Sequence, residues 1–186
     1  MTGPLEGIRV VEFSQIIAGP VSGLLLSDLG ADIIKVEPPW GDPWRAGIAP
    51  ITDSESKGFI TVNRGKRSVC LDLNSEEGQA IVHRLISKAD VVTVNNRADV
   101  LDALKIDYDT LKKIKPDLIY SEITAFGRQG PFAGNPGYDL LMQGLTGIMA
   151  AEGNMDGYQY GDQKLNEGVP RYLSVMPMVD YATGYS

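Results

Sequence analysis

Residues 8–37 constrain this chain more than any other stretch. They read IRVVEF, then SQIIAGP, then VSGLLLSDLG, then ADIIKVE. Ile8, Val10, Val11 and Phe13 form a short β-branched and apolar run, which suits a strand buried on both faces. Residues 14–20 read as a loop holding a glycine and a proline. Leu24, Leu25, Leu26 and Leu29 follow as helix formers, and Gly30 can end the helix in a left-handed turn. Ile33, Ile34 and Val36 make a second buried strand. A strand, a helix and a strand in about thirty residues is one βαβ unit, with a right-handed crossover. Ligands of such units sit beyond the carboxyl ends of the strands, which directs attention to residues 14–20 and 37–45. A βαβ unit alone is scaffold and names no function. The dinucleotide fingerprint G-x-G-x-x-G is missing, since only Gly19 and Gly23 are available. Glu37 after the second strand is then a weak signal, and an NAD-binding domain is the least favoured reading.

The alternation continues downstream. Trp40 and Trp44 stand beside Arg45 in a polar stretch running to Lys57, which reads as a long loop. The two indoles either cover a flat ligand or plug the loop onto the core. A basic turn over residues 63–67 leads into a third strand over 68–73, with Val69, Leu71 and Leu73 alternating. Asn74, Ser75, Glu76 and Glu77 open a helix with a cap and early acids, and Ile81, Leu85 and Ile86 supply its inner face. His83, the only histidine, reads as a solvated helix residue. A fourth strand over 89–94 ends at Asn95, Asn96 and Arg97. Short helices around 99–104 and 108–114 precede a fifth strand over 118–123. The expected fold is therefore α/β: Rossmann-like, a mostly parallel doubly wound sheet with flanking helices. A glycine- and proline-rich loop over 125–139 follows, then a helix over about 140–150, an irregular polar stretch over 152–168, and the opening of one more helix at 180–184.

Composition narrows the classes. The chain has 186 residues, enough for one domain with a real core. Its formal charge of −7 argues against nucleic-acid binding. Cys70 is the only cysteine, so neither an internal disulfide nor a thiolate metal cluster can form. Within its strand pattern it reads as a buried, inert thiol. No apolar run approaches a membrane span and MTGPLEG lacks a signal-peptide core, so a cytoplasmic protein with no membrane contact is expected.

Seven pieces, in order and over nearly the whole chain, resemble the class III CoA-transferases. They are VVEFSQIIAGP, LLLSDLGADIIKVEPP followed by GDP and Arg45, NRGKRSVCLDL, ADVV before NNR, IKPDLIYSEITAFGRQGP, PGYDLLMQGLTGIM and MVDYATG. This is the CaiB/BaiF family of formyl-CoA transferase-like enzymes, to which the α-methylacyl-CoA racemases also belong. The resemblance implies a Rossmann-like large domain and an interlocked homodimer. Family members are considerably longer, so residues 1–186 are expected to be an incomplete large domain, its N-terminal part. The small domain and the C-terminal return would be absent from this chain, or supplied by a companion subunit.

The resemblance also implies roles. Asp180 of MVDYATG matches the family's nucleophile; taken alone it would read as an ordinary helix cap. A position at a helix start favours its ionised form. CoA or acyl-CoA would be a substrate, with a carboxylic acid as acceptor, and no cofactor would be tightly bound. CoA contacts map onto Gln15 and Ala18, whose backbone and amide meet the pantetheine and pyrophosphate region. They map further onto Leu71, Asp72, Leu73 and Asn74 near the adenine end, onto Asn95, Asn96 and Arg97, and onto Ile123, Thr124, Ala125 and Phe126. Lys66, Arg67 and Arg97 are candidate phosphate charges. Basic residues that some members carry are replaced here by Pro38 or Pro39, Asn74, Ala103 and Thr124. Racemases place a histidine where this chain has Tyr138, and a tyrosine is a poor base at neutral pH. CoA transfer is therefore preferred over a 2-methylacyl-CoA racemase or epimerase, and a truncated, non-catalytic CoA-binding module stays a further alternative.

Overall fold

The computed structural model describes residues 3–47, 50–52, 55–148, 159–160, 163–164 and 177–186. In chain order its elements begin with β1 (Arg9–Glu12), α1 (Ala18–Asp28) and β2 (Asp32–Glu37). A 3-10 turn (Pro43–Ala46), a small hairpin of β3 (Pro50–Thr52) and β4 (Glu55–Ser56), and α2 (Lys57–Asn63) lead to β5 (Arg67–Cys70). Then come α3 (Glu76–Ile86), β6 (Val91–Val94), α4 (Ala98–Ala103), α5 (Tyr108–Ile114) and β7 (Ile119–Glu122). Helix α6 (Asp139–Leu145), the two-residue pair β8 (Gln159–Tyr160) and β9 (Gln163–Lys164), and α7 (Met178–Tyr185) complete the described elements.

Five strands form one sheet in the order β5-β2-β1-β6-β7, and every pairing in it is parallel. The chain winds outward from β1 through β2 to β5, then α3 carries it back across to β6 and on to β7. Strand order thus reverses between β1 and β6, and the crevice at their carboxyl ends is where an open α/β sheet receives a ligand. The expected doubly wound, Rossmann-like sheet is what the chain forms. Side chains alternate across it: Val11, Val36, Val92 and Val94 join Val82, Ile86, Leu101 and Leu111 on one face. Val10 and Ile33 meet Ala31 and Leu26 on the other. Over the central strands β1, β2 and β6 both faces are covered, which is why they read as apolar runs, while the edge strands β5 and β7 are largely exposed.

Three local readings change. First, α1 starts at Ala18 and takes Gly19 and Pro20 into its first turn. A proline fits there because no N–H in that turn has an intrahelical partner. Second, the stretch read as loop contains the 3-10 turn, the hairpin and α2. Ser56 caps α2, accepting from the Phe59 N–H at 3.0 Å while its hydroxyl donates to the Trp44 carbonyl at 2.6 Å. Only Phe59 and Val62 of α2 are buried, too few to print a helical period. Third, Cys70 is exposed rather than buried, because β5 is one of the two edge strands of the sheet. Two expectations hold without change: Gly30 adopts φ +101° after α1, and the Ser75 hydroxyl accepts from the Gly78 N–H at 3.0 Å to cap α3.

Helix α7 lies across α1 with no room for a side chain between them. A Cβ on Gly184 would fall 2.6 Å from Val21 Cβ and 2.7 Å from the Ala18 carbonyl. Because α1 begins at the rim of the sheet, this contact holds α7 at the rim as well. Gly184→Leu is expected to destabilise the fold by about 1–3 kcal/mol through overpacking, measured by chemical denaturation. An unchanged midpoint would show that α7 does not rest on α1.

Candidate functional site

The loop after β1 is held by three side chains from elsewhere in the sequence. Asn95, at the end of β6, accepts from the Gln15 N–H at 2.8 Å and donates its Nδ2 to the Gln15 carbonyl at 2.8 Å. Lys35 of β2 donates from Nζ to the Ser14 carbonyl at 2.7 Å. The Asp42 carboxylate accepts from the Ile16 N–H at 3.1 Å. Ile16 itself has φ +68°, a left-handed backbone that a β-branched residue adopts at a cost of about 1–3 kcal/mol. Strain of this size persists only where its surroundings fix it, and here it sits at the switch point.

Beneath the loop lies a buried charge cluster. Glu12, Lys35, Glu37 and Asp42 are all at most 3% exposed. Lys35 Nζ lies 3.2 Å from Glu12 and 3.0 Å from Asp42. Lys66 Nζ donates to both Glu12 oxygens at 3.0 and 2.9 Å, to the Pro20 carbonyl at 2.7 Å and to Asn63 at 3.1 Å. Burial brings the Lys66 ammonium down to about 8 despite the Glu12 carboxylate beside it. For Glu37, burial pushes the carboxyl up, but the Arg45 guanidinium, the Ser68 hydroxyl and the Asp42 N–H outweigh it and hold it at about 2. Arg45 lies 3.9 Å over the Phe59 ring while paired to Glu37. The sequence did carry a signal for this cluster. Glu12, Lys35 and Glu37 are charges set inside apolar strands, where an unpaired charge is prohibitively costly.

Two of the expected phosphate charges are spent elsewhere. Lys66 is consumed by the buried cluster. Arg67 begins β5, at the opposite end from the rim, and pairs with Asp32 at 2.6 Å. Arg97 does stand at the rim, exposed and paired with Asp99 at 2.8 Å.

Two clefts open along the rim. The larger, about 530 Å³, is lined by Ala18, Asn95, Asn96, Arg97 and residues 122–128, with walls from 133–137, Val179 and Thr183. The smaller, about 190 Å³, is lined by Gln15, Pro38, Pro39, Trp40, residues 71–74 and Asn96 among others. Of the residues singled out from sequence, Ala18, Asn95, Arg97, Ile123, Thr124, Ala125 and Phe126 lie on the first. Gln15, Leu71, Asp72, Leu73 and Asn74 lie on the second. Asn96 lies on both, and its Oδ1 is buried without a hydrogen-bond partner. The two tryptophans differ: Trp40 is 75% exposed beside the smaller cleft. Trp44 packs against the core of Ile17, Val21 and Val62.

Asp180 sits in the first turn of α7, between cleft-lining Val179 and Tyr181, and is itself half-buried without lining the cleft. It does not cap its helix. Asp139, the first residue of α6, does so, with Oδ1 accepting from the Val179 N–H at 2.7 Å and the Asp180 N–H at 3.1 Å. This corrects the expectation that the helix start favours the ionised form of Asp180. The N–H groups that would lower its pKa are taken by a second carboxylate. Burial, and then the charge of Asp139, raise the Asp180 carboxyl to about 6. Asp139 is the aspartate of the GYD segment, and its contact with α7 spans 40 and 41 positions, which no local pattern shows.

Residues 5–186 match the sequence profile described as CoA-transferase family III. This chain belongs to that family. It is 45% identical over 161 residues to a succinate–glutarate CoA-transferase of Agrobacterium fabrum, covering 83% of this chain and 40% of that one. It is 42% identical over 156 residues to an acetyl-CoA:oxalate CoA-transferase of Acetobacter aceti, with the same coverage of each. A crystal structure of a CaiB/BaiF family protein from Brucella suis superposes with a TM-score of 0.82 at 41% identity, covering 100% of this chain and 47% of that one. The chain thus spans about 40% of the length of these curated family members. Among the described residues no helix is long and apolar enough to cross a membrane.

Proposed function

We propose that this chain is the CoA-binding part of a CoA-transferase that moves CoA from an acyl-CoA donor to a carboxylic acid, with Asp180 as the nucleophile. The observation that supports this most is the position of Asp180, one residue from the wall of the rim cleft, on a helix pinned to the start of α1. Its carboxyl is raised to about 6, so it is a better nucleophile than an ordinary aspartate yet mostly ionised at neutral pH.

In the first step the Asp180 carboxylate attacks the thioester carbonyl. The C–S bond breaks, giving an acyl-aspartyl anhydride and CoA thiolate. The thiolate then attacks the aspartyl carbonyl, releases the donor acid and leaves an aspartyl-CoA thioester. The acceptor carboxylate attacks that thioester and expels CoA thiolate, which attacks the acceptor's own carbonyl and frees Asp180. CoA lies across both clefts, from residues 71–74 to residues 123–126. Asn96 lies between them, its buried Oδ1 free to accept from the ligand. The exposed Arg97 guanidinium is one rim charge available to a phosphate. We further propose that residues 1–186 are the N-terminal part of the large domain, completed by sequence outside this chain in an interlocked homodimer or by a companion subunit. The cytoplasm is the compartment this reading requires.

The test is calorimetry with CoA on the 186-residue chain, followed by turnover assays. Succinyl-CoA with glutarate and acetyl-CoA with oxalate are the first pairs to assay, since the relatives are named for these acids. The expected result is CoA binding by this chain with little or no turnover. Absence of binding would overturn the assignment of the clefts. Full turnover by this chain would overturn the division of the enzyme. Incorporation of deuterium at the α-carbon of a 2-methylacyl-CoA in heavy water would put the protein with the racemases instead.

A further inference from the structure

Stability alone does not account for the charges buried beneath the rim. Two carboxylates and two ammonium groups, Glu12, Asp42, Lys35 and Lys66, are sealed from solvent where well-packed apolar residues would serve stability at least as well. What the cluster does hold is the main chain of one loop. Lys35 meets the Ser14 carbonyl, and Asp42 meets the Ile16 N–H and, at 2.9 Å, the Trp44 N–H. Ile16 is the only left-handed non-glycine residue besides Lys105 among the described residues, and it is 42% exposed, so no packing of its side chain demands that conformation.

We propose that Lys35 and Asp42 are positioning residues for CoA. Through their buried ion pair they impose the left-handed turn at Ile16, and that turn aims the Gln15 side chain and the start of α1 at the rim clefts. This rests on the reading of the clefts as the CoA site. The logic is one of division of labour. Asn95 fixes Gln15 from the β6 side, and the Lys35–Asp42 pair fixes its two neighbours from the β2 side. Neither Lys35 nor Asp42 lines either rim cleft, so the pair would act on a ligand there only through the loop. Its charge matters because each group has several partners at once. Asp42 gives Oδ1 to the Ile16 and Trp44 N–H groups and Oδ2 to Lys35. An amide of the same shape can serve only one side, because its NH₂ would face either the Lys35 ammonium or the backbone donors.

The experiment is an Asp42→Asn variant of the 186-residue chain, with and without Ile16→Asn. Asparagine tolerates the left-handed region far better than isoleucine, so it can keep the turn without the clamp. Asp42→Asn is expected to weaken CoA binding at least about tenfold by calorimetry. It should also speed amide hydrogen exchange at Gln15 and Ile16 by at least about tenfold while α3 amides keep their protection. The double variant is expected to recover at least half of the lost affinity on a logarithmic scale. A role confined to stability would lower protection everywhere and would not be rescued at residue 16. Wild-type exchange rates in the loop of Asp42→Asn, or no recovery in the double variant, would overturn the proposal. If the wild-type chain fails to bind CoA, the cleft assignment falls by itself and the exchange rates still decide whether the pair imposes the turn.

Discussion

Asp180→Asn is expected to abolish covalent capture of the acyl group. With the wild-type residue in a catalytically complete enzyme, hydroxylamine added during turnover should convert Asp180 to its hydroxamate only when acyl-CoA is present. The asparagine variant should show no such adduct and should lose at least about 10⁴-fold in kcat, as removal of a covalent nucleophile does. Retained turnover would remove Asp180 from the mechanism. The pH dependence sharpens the prediction. Attack requires the ionised carboxylate, and with its pKa at about 6 the reactive fraction is about 90% at pH 7 and about 10% at pH 5. The rate should therefore fall tenfold per pH unit below 6, where an ordinary aspartate would hold its rate for about two units more. Asp139→Asn keeps an oxygen for the α7 N–H groups but removes the neighbouring charge, so it should shift that limb toward lower pH. The same shift acts on stability. A carboxyl whose folded-state pKa is raised costs stability fully above about pH 6, and the cost disappears as pH falls through 6 toward 4. Asp180→Asn should accordingly stabilise the fold at pH 7 by about 1 kcal/mol, once solvent screening of this half-exposed group is allowed for, and leave it unchanged near pH 3.

Lys35→Met should be the most damaging single change to the fold. It leaves Glu12 and Asp42 buried with one ammonium between them, and orphans the Ser14 carbonyl. Breaking one side of a buried ionic cluster costs about 3–5 kcal/mol, although methionine itself packs well in a strand. For a chain of this size that corresponds to a fall in Tm of roughly 10 °C or more. Thermal and urea unfolding at pH 7 measure it. A loss below about 1 kcal/mol would mean that the cluster is not the ionic lock its distances describe.

The sheet was readable because its physics is local. Five short apolar runs, alternating with helices except where α2 read as loop, left one class of fold, and Gly30 and Ser75 marked ends that the structure keeps. The rim was readable through a general rule of open sheets joined to a family resemblance, and the residues it selected fall along two adjoining clefts. What escaped was decided by contacts distant in sequence. Lys66 looked like a free basic residue because its partner Glu12 lies 54 positions away. Asp180 looked like a helix-stabilised anion because Asp139, 41 positions earlier, takes its helix's N–H groups. Cys70 looked buried because a strand pattern does not reveal which strand will be outermost. Helix α2 was too short to leave a period.

The double link between Asn95 and Gln15 narrows what an incoming molecule can find there. The Gln15 N–H is already spent on Asn95, and that of Ile16 on Asp42. Neither can be offered to a phosphate or an amide of the visitor. On the reading proposed above, what Gln15 offers a ligand is its side-chain carboxamide on a fixed pedestal, a group that a single codon change can alter without disturbing the masonry under it.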